Sequence, residues 1–227
     1  MFLLKSLVIA TSLFAIVSGI QPQSASVRGT DTNMAYIQAA RDISEKTTLQ
    51  NALAETLQGT GVSGGAVSLT QTCETVARDF HISKGTQLPQ ALDALVAADG
   101  KHSWSVEKGA VVLIPAGGLP ALLKTKIEEV RIQDKNNLTL AVTELLQVRA
   151  VRDAISSLRL KPLSPQIGFQ KLNRSNSKPE EEPLVVRDIS LAEALNSLAL
   201  EHGGAVWSYV EADCGGQRTV RIDFISQ

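Results

Sequence analysis

The chain has 227 residues, with 22 Lys and Arg against 23 Asp and Glu and a formal charge of -1. Hydrophobic residues at 44% and charged residues at 20% exclude wholesale disorder. The near-zero charge excludes a global electrostatic footprint for nucleic acid, and two Cys exclude a disulfide-dense miniprotein or a four-thiolate zinc site.

Lys5 precedes an apolar run, Leu7 to Val17, broken only by Thr11 and Ser12, and Val17-Ser18-Gly19 supplies small residues after it. These three regions predict a secretory signal peptide over 1–19, cleaved after Gly19. A bilayer span needs about 20 apolar residues, so no stable membrane insertion is expected after cleavage. Without Lys5 the balance is 21 basic to 23 acidic residues. Residues 20–40 read as an N-terminal extension.

In the stretch 41–115, Leu49, Ala52, Leu53 and Thr56 form one helical face that ends at Gly59-Thr60-Gly61. Ala66–Leu69 and Phe80–Ser83 read as strands. Leu88, Ala91, Leu92 and Leu95 form a second face, stopped by Gly100. Trp104–Glu107 and Ala110–Ile114 then make a hairpin around Lys108-Gly109. Pro115 to Pro120 marks a boundary, and 116–126 reads as a linker.

In the stretch 127–227, Val130–Ile132 is strand-like and Leu138, Ala141, Val142 and Leu145 form a third helical face. From Val148 the apolar positions move to 148, 151, 155 and 158, around the other side of a continuous helix. One helix cannot bury both faces against one sheet, so a break is predicted near Gln147–Arg149. Asn173–Pro183 is a polar loop. Leu184–Val186 leads to a fourth helix, Leu191 to Gly203, and a last hairpin, Trp207–Glu211 with Arg218–Ile225. Val220, Ile222 and Phe224 alternate with polar neighbours along its final strand.

Leu88–Val106 aligns without gaps on Leu191–Tyr209, with 7 identities in 19 positions. Leu88, Ala91, Leu92, Leu95, Gly100, Trp104 and Ser105 recur as Leu191, Ala194, Leu195, Leu198, Gly203, Trp207 and Ser208. Helix starts at 49, 88, 138 and 191 are spaced too unevenly for a solenoid and fit two pairs instead. Arg-Asp-Ile-Ser at 41–44 and 187–190 precedes a helix each time, either as a duplicated strand end or by coincidence. The reading is α+β, with two tandem small βαββαββ-like units over 41–115 and 127–227, each packing two helices on short sheets.

That element order, with Leu-x-x-Ala-Leu on the helices (Val142 replacing its last Leu on the third), a Gly-ended turn before the next strand, and the segment Thr48 to Val62, resembles the short N-terminal domain of secretins and TonB-dependent receptors. The resemblance covers most of 41–114 and, more loosely, 127–225. It implies a periplasmic address and a protein-contact module in place of an enzyme.

Gly61-Val62-Ser63-Gly64-Gly65 matches G-x-S-x-G, but a nucleophile elbow needs a strand before it and a helix after. Here the order is reversed, and a Gly-rich turn is the reading. His81, His102 and His202 lack metal-ligand spacing, so no metal, cofactor or catalytic residue is expected. His202 suits the end of a helix. Trp104 and Trp207 read as core residues whose indole N–H groups need partners. Asn137 and Asn173 head glycosylation sequons that matter only in a eukaryotic source. The basic residues Arg149, Arg152, Arg159, Lys161, Lys171, Arg174 and Lys178 lack interleaved aromatics and read as ordinary surface, not a nucleic-acid site. An oxidising compartment permits a Cys73–Cys214 disulfide, with free or intermolecular thiols as the alternative. Arg218, Thr219, Arg221 and Asp223 mark an expected sheet edge at which a partner could add a strand; the alternative is that these charges merely solubilise it.

The function expected is an exported periplasmic interaction or adaptor module for an envelope protein. A structural subunit of a secretin or pilus-type machine is the alternative, and an enzyme with a dispersed site stands third.

Overall fold

Each of the four expected helix faces starts a helix at its first leucine. The computed structural model describes residues 34–74, 76–164 and 182–225. The predicted signal peptide, most of the extension and nearly all of the polar loop, with Asn173, Lys171, Arg174 and Lys178, lie outside them. The helices are α1 (Leu49–Leu57), α2 (Leu88–Asp99), α3 (Leu138–Gln147), α4 (Arg149–Ser157) and α5 (Leu191–Glu201). Local chemistry sets their ends. The Thr48 hydroxyl accepts from the Asn51 N–H, and the Asn137 side chain accepts from the Leu140 N–H. Ser190 and Glu193 close a capping box on α5. Gly100 ends α2 at φ 71°. The expected break falls at Val148, whose φ -57° and ψ 132° separate α3 from α4.

The strands are β1 (Ile43–Thr47), β2 (Gly64–Thr70), β3 (Arg78–Ile82), β4 (His102–Glu107), β5 (Ala110–Pro115), β6 (Lys126–Ile132), β7 (Lys161–Pro162), β8 (Leu184–Ser190), β9 (Val206–Cys214) and β10 (Gln217–Ile225). The protein is α+β. The order βαββαββ runs from β1 to β5 and again from β6 to β10, with α3 and α4 in the place of one helix. Pairing also recurs. β1 with β3, and β6 with β8, form two-stranded antiparallel sheets. The other six strands, in contrast to the short separate sheets expected, share one sheet in the order β4-β5-β2-β9-β10-β7.

Strand directions relate the halves. β4 is antiparallel to β5, which is parallel to β2; β9 is antiparallel to β10, which is parallel to β7. β2 and β9 join the two trios in parallel. The trio β9-β10-β7 therefore repeats β4-β5-β2 with every direction reversed, as a half-turn about the line across the strands requires. Such a rotation swaps faces, and the packing follows it. Ala66, Val111 and Leu113 pack with α1 and α2, whereas Val67 and Val112 pack with Leu191, Leu195 and Leu198 of α5. Successive strand residues point to opposite faces, so one strand serves both cores.

Three placements differ from expectation. Within the expected linker 116–126, Leu122 and Leu123 lie in a short 3-10 turn and are fully buried in the second core. Pro and Gly at 115–120 mark a turn, but not a free tether. β10, expected at the sheet edge, is the next-to-last strand, because β7 pairs with it at Thr219 and Val220. A strand of two residues leaves no periodic signal to read. The two Arg-Asp-Ile-Ser segments are not equivalent: 41–44 leads into β1, while 187–190 ends β8, the counterpart of β3.

Leu92 and Leu195 occupy matched positions on α2 and α5 and are both fully buried. Replacing either with Ala should cost about 2–5 kcal/mol. Urea unfolding curves that superimpose on that of the parent would contradict the matched cores.

Candidate functional site

Seven residues of β2, Gly64–Thr70, pair in parallel with Val206–Ala212 of β9. The G-x-S-x-G segment lies at this junction. Ser63 is buried, and its hydroxyl donates to the Ala199 carbonyl of α5 at 2.9 Å. Its own carbonyl accepts from the Val111 N–H, and the Gly64 N–H donates to the Ala205 carbonyl. A helix precedes this segment and a strand follows, so Ser63 has a structural bond in place of an elbow.

Gly64 and Gly65 are required by close approach. A Cβ on Gly65 would stand 2.0 Å from Cε2 of the Trp207 ring, and one on Gly64 would stand 2.6 Å from a Leu57 methyl. The fully buried Trp207 donates its indole N–H to Asn196 Oδ1 at 2.7 Å. Trp104 repeats the device, donating to Asp93 Oδ1 at 2.8 Å. Both tryptophans are core residues, and both bonds reach back 11 residues.

Two further links hold the halves together. Cys73, just beyond β2, is bonded to Cys214 at the end of β9, with a Cα–Cα distance of 5.1 Å. Lys108, in the β4–β5 turn, pairs with Glu193 of α5 at 2.7 Å. That turn is a two-residue loop with φ 51° at Lys108 and 87° at Gly109, as a type I′ hairpin needs. The Lys108 ammonium, and next the Ser190 backbone N–H, hold the Glu193 carboxyl below the usual carboxylate range.

Beside the junction, β5 ends at Pro115. Val111 donates to Ser63, and every second β5 residue faces β2, so Pro115 falls where a donor to the Val67 carbonyl is needed. Proline has none. His102, the cross-strand partner of Pro115, fills the gap: Nε2 lies 2.7 Å from the Val67 oxygen. Its Nδ1 lies 2.5 Å from Asp99 Oδ2, and Asp99 Oδ1 also pairs with Arg78 at 3.0 Å. Both ring nitrogens are thereby engaged, Nε2 with the Val67 carbonyl and Nδ1 with the Asp99 carboxyl. This Asp–His pair therefore closes a gap in the sheet and presents no free nitrogen to a nucleophile. His81 sits on β3 beside Ser44, with Nδ1 3.1 Å from its hydroxyl oxygen, and His202 caps α5 through its backbone N–H. Among the described residues no group of three or more His, Cys, Asp or Glu could hold a metal. No described helix is long and apolar enough to cross a membrane.

The residues expected to form a docking edge on β10 have separate tasks. Arg218 pairs with Glu211 and donates to the Leu158 carbonyl at the end of α4. Glu211 also accepts from the buried Tyr209 hydroxyl at 2.8 Å. Burial, and next the hydrogen bond to Glu211, push the Tyr209 phenol well above its usual range. Thr219 is buried, donating to the Ala212 carbonyl, and Arg221 pairs with Asp223 at 2.7 Å along the strand.

The sheet's two ends are unlike. At one end, β7 has two residues, and the Leu163 N–H donates to the Val220 carbonyl. Strand alternation then turns the nitrogen of Pro162 outward, where it offers no donor. At the other end, no described strand lies beyond β4. Glu107 and Ala110 flank the two-residue turn as the hydrogen-bonded pair, so Val106 and Trp104 direct their backbone groups away from β5.

Sequence signals existed for part of this. Two adjacent glycines opening a strand point to close backbone approach, and Asp93 and Asn196 occupy matched positions in the repeat. Nothing local signals that β2 pairs with β9. No protein-family model, curated protein or solved structure matches this chain.

Gly65→Ala should destabilise by about 3 kcal/mol, as overpacking against a ring requires. In a Trp207→Phe background the same change should cost much less. Strictly additive urea midpoints would remove the Gly65–Trp207 contact as the cause. Because folding lowers the Glu193 value, its contribution is present above the ordinary carboxylate value of about 4.3 and lost as pH falls through the lower folded value. Lys108→Gln should therefore lose less stability than the parent between about pH 5 and pH 3; identical acid profiles from thermal melts would contradict this.

Proposed function

We propose that the chain is an exported, periplasmic protein-contact module, an adaptor for an envelope protein, resembling the short N-terminal domain of secretins and TonB-dependent receptors. The observation that carries this reading is the difference between the sheet's ends. A subunit that builds rings or filaments by strand pairing needs a head-to-tail contact that can repeat. Here such a contact would join β7 of one copy to β4 of the next, and Pro162 removes a donor from it. An adaptor needs one open surface. The Cys73–Cys214 bond is in keeping with an oxidising compartment. Ser63 and His102, the side chains closest to a catalytic pattern, are occupied in structural bonds, Ser63 to the Ala199 carbonyl and His102 to the Val67 carbonyl.

The test joins sedimentation with cross-linking. The purified chain should sediment as a monomer, and cross-linking in the envelope of its source cell should add a protein of different sequence. A closed oligomer of this chain would favour the structural-subunit alternative. A monomer without any cross-linked partner would overturn the contact-module reading.

A further inference from the structure

We propose that β4 receives a strand of the partner protein, added in parallel, so that the six-stranded sheet continues outward. The inference rests on the contact-module reading and names the surface and the kind of partner. Its basis is the internal junction. β4 and β9 are equivalent strands, matched through Trp104 and Trp207, and each heads a trio of the same pairing pattern. In β9 the edge away from β10 is taken by β2, in parallel, over seven residues. The equivalent edge of β4 has no described neighbour. The half-turn that relates the two halves can be applied once more at this edge, and it brings in a parallel strand with its supporting helices on the opposite face.

The edge also states what it fits. Val106 and Trp104 pack toward the first core, while Ser103 and Ser105 point to the other face. A strand lying beside them meets apolar surface at alternate positions and hydroxyls between, so it should alternate small apolar with polar residues. Backbone bonds to Trp104 and Val106 would supply affinity, and this alternation the specificity. A second copy's β7 does not suit, because its outward position is Pro162. The occupant is an extended strand of another protein.

A synthetic peptide of residues 61–72, which carries the β2 strand, serves as the probe. It would be added to the isotope-labelled full chain up to about 1 mM, the weak limit of a specific contact. The Trp104 and Val106 amides should shift, and their hydrogen exchange should slow by about twofold at half-saturation and by more for a tighter contact. Leu163, at the capped end, should not respond. Val106→Pro deletes an outward donor without removing a β4–β5 bond, and a variant that melts like the parent should lose the response. If that variant does not fold, the titration of the parent alone decides. No response of the parent at β4, or an unchanged response in folded Val106→Pro, would overturn the proposal while leaving the envelope cross-linking result to judge the adaptor reading. A concentration-dependent doubling of mass with protection at β4 would assign the edge to a second copy and overturn it as well.

Discussion

The parallel pairing of β2 with β9 constrains nearly everything else in the molecule. Its seven residue pairs fix the direction of the second trio relative to the first, and direction fixes which face the helices cover. The pairing brings Trp207 over Gly65, at a distance where even one methyl group would have no room. Ser63, Cys73 and Lys108 then tie the two halves at three further points around it. Parallel strands far apart in sequence are costly to bring together, because loop closure precedes any reward from contact. Here the side chains around the pairing, and a bond 141 residues apart in the chain, offset that cost.

Burial follows from the same geometry. A small βαββαββ unit standing alone has one face of its sheet against helices and the other against water. The half-turn places each half's helices opposite the other's, so β2 and β5 are covered on both sides. Ala66, Val67, Val111, Val112 and Leu113 are accordingly all fully buried. This explains the continuous apolar run Ala110 to Ile114, which lacks the alternation of a one-sided antiparallel strand. Leu122 and Leu123, in the segment between the halves, are buried in the same cluster as Val112, and their turn packs beside α4 and α5.

Much of the local structure was legible from sequence. The helices start at Leu49, Leu88, Leu138 and Leu191, the break falls at Val148, and both hairpins lie where turn residues indicate. These features are set by neighbours within a few residues, where apolar periodicity and turn chemistry act. The sheet order was not legible, since no short-range pattern distinguishes a strand that pairs with its neighbour from one that pairs across the molecule. β7 escaped detection for a different reason: Lys161 and Pro162 become a strand only because β10 lies beside them. The role of His102 is likewise not local. It follows from a missing donor at Pro115 on one strand and an acceptor at Val67 on another.

The matched tryptophans show how one contact is adjusted to two depths. At Trp104 the acceptor is Asp93, on the exposed side of α2; at Trp207 it is Asn196, almost wholly buried under the junction. Both present a side-chain oxygen to the indole N–H. An ionised carboxylate at the buried position would need more than one indole donor to offset its loss of water. The amide keeps the acceptor and sheds the charge. Near solvent the carboxylate can stay hydrated and makes the stronger, charge-assisted bond. The choice between Asp and Asn therefore tracks whether a strand lies over that end of the repeat, as β2 does over β9 and no described strand does over β4.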